Sequence, residues 1–271
     1  MNKYLLYIIL FASFYGAAQT ISKKPIPLGE SLQFNSKYFK EKRELNIYLP
    51  SSYADNQEKT YPVIYLLDGS LDEDFIHISG LVQFQSFPWI NKIPEAIIVG
   101  IANTDRKRDF TDESASAADK HDLPTSGGST KFISFLDDEV IPLIEKKYRV
   151  NDSSTLIGQS LGGLLAVEIL YRHANMFDNY LIVSPSLWWD DERWLLSEPE
   201  YMGNAKSIYI AVGNEGETME RVARSLYEKL DIMLGSDHSI KYRYFENLDH
   251  GDTLHLAAYY GLEEIFTSRR K

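Results

Sequence analysis

Along the chain, short runs that are apolar on both faces alternate with longer stretches whose apolar positions return every three or four residues. The short runs are Glu44–Leu49, Val63–Leu67, Ala96–Ile101, Ser154–Ile157, Tyr180–Val183, Ser207–Val212 and Ile240–Phe245. Their length and β-branched content predict strands covered on both sides of a sheet. Helical spacing is carried by Phe132, Phe135, Leu136, Val140, Leu143 and Ile144, and again by Leu161, Leu164, Leu165, Ile169 and Leu170. It returns in Met219, Val222, Leu226, Leu230 and Met233, and in the segment Thr253–Phe266. This alternation predicts an α/β fold with a mostly parallel central sheet flanked by helices on both faces. Ser31–Leu49 reads as a strand pair before any helix, so the sheet is expected to begin antiparallel. Thr104–Thr130, rich in Asp, Ser, Gly and Thr, is expected to be irregular, and an insertion of that kind is usually functional or mobile. No repeat or linker divides residues 25–271, which predicts one domain.

The first residues stand apart from this pattern. Met1-Asn2-Lys3 precedes the apolar run Tyr4–Tyr15, followed by Gly16-Ala17-Ala18. A cationic start, a short apolar core and small residues at the cleavage positions predict a secretory signal peptide over residues 1–18. The run is shorter than the ~20 residues of a spanning helix, so no stable membrane insertion is expected after cleavage. The expected location is secreted or periplasmic.

Charge and composition mainly exclude. Lys and Arg number 28 against 39 Asp and Glu, a net charge of −11, which argues against a nucleic-acid partner because phosphate binding needs clustered cations. There is no cysteine, so disulfides, a thiol nucleophile and Cys-type zinc sites are ruled out. The acidic clusters show no His-containing metal spacing, and neither a P-loop nor G-x-G-x-x-G occurs. No cofactor and no metal are expected.

One motif carries chemistry. Gly158-Gln159-Ser160-Leu161-Gly162 fits G-x-S-x-G, preceded by a strand candidate and followed by helical spacing. A serine on such a sharp strand-to-helix turn is strained and exposed, and the helix directs its N-terminal N–H groups at the reacting centre. A Ser-Gly turn that only caps the helix is the alternative reading. A serine nucleophile needs a base and a group that orients the base. With G-x-S-x-G on an α/β sheet the chain order is Ser, acid, His, with the His after the last strand. That order sets aside His77 and His121. His173 falls in the helix after Ser160, His238 precedes the last strand, and His255 lies in the final helical segment. His250, directly after the strand Ile240–Phe245, is the expected base.

Two carboxylates compete as the acid. Glu215 lies nearer the end of the strand Ser207–Val212 and is the choice here. Glu217 begins a helical stretch with Glu220, where it would serve the helix dipole. An unoriented histidine with no acid is a third possibility. The backbone N–H groups of Leu161 and of Ser70, after the strand Val63–Leu67, are the expected oxyanion donors.

Several stretches together resemble the esterase family of α/β-hydrolases that includes esterase D and the siderophore esterases. They are Leu66-Leu67-Asp68-Gly69, Asn103 with Asp105 to Asp109, and Gly127-Gly128 with Lys131-Phe132 and Phe135-Leu136. Ile141-Pro142-Leu143-Ile144-Glu145, Ile157 to Gly163, Ser184-Pro185-Ser186-Leu187-Trp188-Trp189 and His250-Gly251 complete the set. The resemblance covers about residues 30–267. It implies an α/β-hydrolase fold, a serine hydrolase acting on a small-molecule carboxylic ester, and Ser160 and His250 as its centre. The stretch Gly213-Asn214-Glu215 matches the family only loosely, so the acid stays open between Glu215 and Glu217.

Three further residues are candidate substrate contacts. Arg106 would bind an anionic group or pair with a neighbouring carboxylate, and Arg108 is expected to pair. Trp188 and Trp189 would stack on a substrate ring or pack in the core. Siderophore, phenolic (feruloyl-type) and sugar esters all suit these residues. Acyl transfer through the same triad and a non-catalytic binding protein on the same fold are the competing readings.

Overall fold

In a computed structural model, which describes residues 21–199, 206–234 and 238–267, eight strands join into one sheet. The predicted signal peptide lies outside the described residues. The strands are β1 (Glu30–Asn35), β2 (Lys42–Tyr48), β3 (Tyr61–Leu66), β4 (Ile97–Ile101), β5 (Val150–Gln159), β6 (Asn179–Val183), β7 (Ser207–Gly213) and β8 (Ser239–Phe245). Their order across the sheet is β1-β2-β4-β3-β5-β6-β7-β8. β2 runs antiparallel to both β1 and β4, and every later pairing is parallel. The antiparallel start and the parallel body both follow the sequence pattern.

Helices cover both faces because the central strands are apolar on both. Ile208, Ile210 and Val212 of β7 face one core, shared with α4 (Ser129–Phe135), α6 (Leu161–Arg172) and α8 (Glu217–Leu234). Tyr209 and Ala211, one position out of phase, face the other, shared with α1 (Phe75–Ser86) and α9 (Thr253–Thr267). That alternation is the period of two of a strand, read here on both sides. Among the described residues no helix is long and apolar enough to cross a membrane.

The helical spacing through Phe132 and Ile144 is borne out, as α4 and α5 (Ile141–Lys147) joined by a π-helical turn at Leu136–Val140. Pro142 has no N–H to donate into the preceding turn, and its ring crowds the carbonyl four residues back. The wider turn relieves that crowding and keeps Leu136 and Val140 buried.

Thr104–Thr130 is mostly without regular structure, as expected, but it is not bare loop. It holds α2 (Arg106–Asp109), capped by the Asp105 side chain, and α3 (Ala117–Asp122), capped by Ser116. Its Asp109, Thr111, Asp112 and Ser114 are buried. Asp109 accepts from Arg43 at 2.6 Å and from Arg108 at 2.7 Å, and the Arg43 and Asp109 side chains are 1% and 2% exposed. Arg108 also bridges to Glu41, which gives it the structural pairing expected of it. Removing one member of a buried pair leaves the other charge uncompensated. Asp109→Ala is therefore expected to destabilise the protein by about 3–5 kcal/mol, read as a lower urea midpoint with little change in m-value. A loss below 1 kcal/mol would show that Glu41 alone satisfies Arg43.

Candidate active site

β5 lies between β3 and β6 in the middle of the sheet, and its C-terminal end delivers Ser160 into α6. Ser160 has φ 59° and ψ −119°, a left-handed conformation that a non-glycine residue holds only when its surroundings enforce it. The enforcement is visible: Ser160 N–H donates to Val183 O at 3.0 Å, and Ser160 O accepts from Ser186 and Leu164 N–H. The turn is so tight that a Cβ on Gly158 would lie 2.3 Å from the Gly162 carbonyl oxygen. This explains the glycine two residues before the serine.

The loop after β8 carries His250, and the loop after β7 carries Glu215. His250 Nδ1 and Glu215 Oε2 are 2.5 Å apart, with the His250 side chain half exposed and that of Glu215 1% exposed. The other carboxylate oxygen of Glu215 accepts from Ser184 Oγ at 2.5 Å, Gly213 N–H at 2.8 Å and Thr253 Oγ1 at 3.3 Å. Burial pushes the Glu215 carboxyl up, but the hydrogen bonds from His250, Ser184 and Gly213 outweigh it and hold the group below its ordinary range. The hydrogen bond to Glu215 raises His250 above its ordinary value, against an opposing effect of burial. Glu217, at the exposed first position of α8, touches neither histidine nor serine.

The segments that carry Ser160 and His250 are tied directly. Gln159 Nε2 donates to the His250 carbonyl at 2.6 Å. The Ser160 hydroxyl itself is 3.3 Å from Ser186 Oγ and makes no hydrogen bond to His250 in this structure. Catalytic hydrogen bonds are often long in unliganded enzymes and tighten with substrate.

Leu161 is the first residue of α6, so its N–H has no acceptor within the helix. Ser70 follows the β3 turn, and its N–H makes a long 3.4 Å contact with Glu73 Oε2. That turn is close-packed, since a Cβ on Gly69 would meet Gly100 Cα at 2.4 Å. It is also braced by a fork of hydrogen bonds from Arg106 to Asp68, at 2.7 and 3.0 Å. Arg106 thus takes the pairing role among its two expected ones, with Asp68 rather than a sequence neighbour. Its Nη2 also reaches Gln159 O at 3.4 Å. Beside this pair, burial and then the Asp68 and Glu73 charges push Asp74 up to about 6.

Trp188 is 38% exposed and remains available at the sheet edge, whereas Trp189 is 0% exposed. Trp189 Nε1 donates to Asp112 at 3.0 Å. As a candidate ring-stacking residue Trp189 is therefore corrected: it packs in the core and anchors the 104–130 segment. Sequence reasoning missed Asp68, Ser184, Thr253 and the Gln159 side chain. Positive φ at Asp68 (54°) and Ser184 (45°) marks two of them as enforced positions, but backbone strain has no signature in a single sequence.

The strand order, the antiparallel second strand and a serine on the turn after the fifth strand define an α/β-hydrolase. The family model described as "Putative esterase" matches residues 36–250, and the chain belongs to that family. It is a carboxylic ester hydrolase. Over 230 residues it is 28% identical to the ferri-bacillibactin esterase BesA of Bacillus subtilis, covering 76% of this chain and 78% of that protein. An IroE-like serine hydrolase from Shewanella oneidensis superposes with a TM-score of 0.78 at 29% identity, covering 88% of this chain and 80% of that one. The BES protein from Bacillus cereus gives 0.76 at 28% identity, covering 91% and 98%.

Proposed function

We propose that the protein is an exported single-domain serine esterase that opens a siderophore ester through an acyl-Ser160 intermediate. The reading rests above all on the Glu215–His250 pair standing beside a serine held on a strained strand-to-helix turn. His250 accepts the Ser160 hydroxyl proton as Oγ attacks the ester carbonyl. The Leu161 N–H, and the Ser70 N–H once it leaves Glu73, receive the developing oxyanion. The ester C–O bond then breaks, and His250 returns the proton to the departing alcohol. Water repeats the sequence to release the acid and free Ser160. Glu215 holds the imidazole tautomer that leaves the other ring nitrogen free to accept.

The siderophore assignment is supported by the likeness to the ferri-bacillibactin esterase of Bacillus subtilis, and export by the signal-peptide pattern of residues 1–18. Trp188 and the 104–130 segment border the same sheet edge and supply the substrate contacts in this reading. A panel of a catecholate siderophore lactone, a feruloyl sugar and an acetylated sugar tests it. The lactone is expected to give the highest kcat/KM, with a fluorophosphonate probe attached at Ser160. Preference for either sugar ester would overturn the substrate, and absence of labelling would overturn the mechanism. Ester exchange into added methanol in preference to hydrolysis would identify acyl transfer instead.

A further inference from the structure

Two histidines from different helices face each other outside the serine, histidine and glutamate set. His77 occupies the third position of α1 and His255 the third position of α9. His255 Nδ1 lies 2.9 Å from His77 Nε2, and the ring centroids are 4.7 Å apart. The pair is exposed to solvent. The helices that carry it are fixed to each other further along. Gln85 Nε2 donates to Tyr259 O at 2.7 Å, and Lys92, in the segment after α1, pairs with Glu263 of α9 at 2.5 Å.

We propose that His77 and His255 form a two-imidazole site for a divalent transition-metal ion that ties α1 to α9. Imidazole nitrogens bind such ions at ~2.0–2.1 Å, so two on one ion stand ~2.9–3.3 Å apart. The hydrogen-bonded nitrogens are already 2.9 Å apart, so the rings need only turn slightly to share an ion. Among the described residues no third His, Asp or Glu joins the pair, so solvent fills the remaining positions. The helix frame holds both rings in place before the ion arrives, which lowers the ordering cost of chelation. The pair serves no step of the ester chemistry derived above. Without an ion it is bridged by an N–H···N hydrogen bond, which a metal replaces.

Thermal melting of the metal-free full chain at about pH 8, where imidazoles are neutral, tests this. Ni²⁺ at about 100 times its Kd is expected to raise the midpoint by roughly 5–10 °C. His77→Ala and His255→Ala should each abolish the shift, and His250→Ala should keep it. Calorimetric titration should count one Ni²⁺ per wild-type chain and none in His77→Gln or His255→Gln, which retain hydrogen-bonding side chains. No shift in the wild type, or a shift that survives both alanine variants, overturns the site. Loss of the shift in His250→Ala would place the ion at the catalytic histidine and overturns it as well.

Discussion

Replacing Ser160 with alanine lowers kcat for an activated aryl ester by about 10⁵–10⁶-fold, on the scale of nucleophile removal in serine hydrolases. The thermal midpoint should move by no more than 1–2 °C, corresponding to about 0.5 kcal/mol in a chain of this size. The hydroxyl makes one 3.3 Å contact, to Ser186, so its removal breaks little. Alanine keeps the Cβ, so the strained φ of 59° is neither relieved nor worsened. Activity and folding are thereby separated in one variant. Turnover above a tenth of wild type in a folded variant would remove Ser160 from the chemistry.

Glu215→Gln is the second large effect, with kcat expected to fall by about 10³–10⁴-fold. Glutamine preserves volume and still offers an oxygen to Ser184, Gly213 and Thr253. Its amide nitrogen, however, donates to His250 Nδ1 and so leaves the proton on the nitrogen that must accept from Ser160. The pH profile adds a second reading. His250 must be neutral to act as base, so the rate falls as pH drops through its pKa. In the wild type the Glu215 hydrogen bond and charge hold that pKa above 6.5, whereas burial acts in the opposite direction. Removing the carboxylate takes away the largest raising influence and leaves burial and Arg106, which lower the pKa, against Asp249, which raises it, so the acid limb of kcat/KM should move to lower pH. Glu217→Gln should leave both rate and limb within about twofold of wild type, since its carboxylate contacts no part of the site. An unchanged acid limb in Glu215→Gln would show that the histidine is not oriented by this acid.

Most of the sheet was legible because its central strands are apolar on both faces, a pattern that neither a surface helix nor a loop imitates. α1 was not read. Its buried positions Phe75, Ile78, Val82 and Gln85 do follow helical spacing, but exposed Ile76 and Phe84 and the central Gly80 blur the stripe. The short helices and buried polar groups within 104–130 were not read for another reason. Hydropathy does not distinguish an Asp paired with Arg43 from one in water. At the site, Ser160 was legible because the turn that holds it is local: a Cβ at Gly158 would strike the Gly162 carbonyl four residues on. Glu215 and Glu217 were not separable by such means. What distinguishes them is Ser184 and Thr253, distant in sequence and brought in by β6 and α9. Trp188 and Trp189 likewise diverge only when one finds Asp112.

The hydrogen bonds around Glu215 reach Ser184 after β6, Gly213 at the end of β7, His250 after β8 and Thr253 at the start of α9. One carboxylate is thus a clasp that joins the segments after β6, β7 and β8 to the start of α9. A disturbance that lifts α9 or the end of β8 from the sheet would loosen the orientation of His250 before the sheet itself is lost.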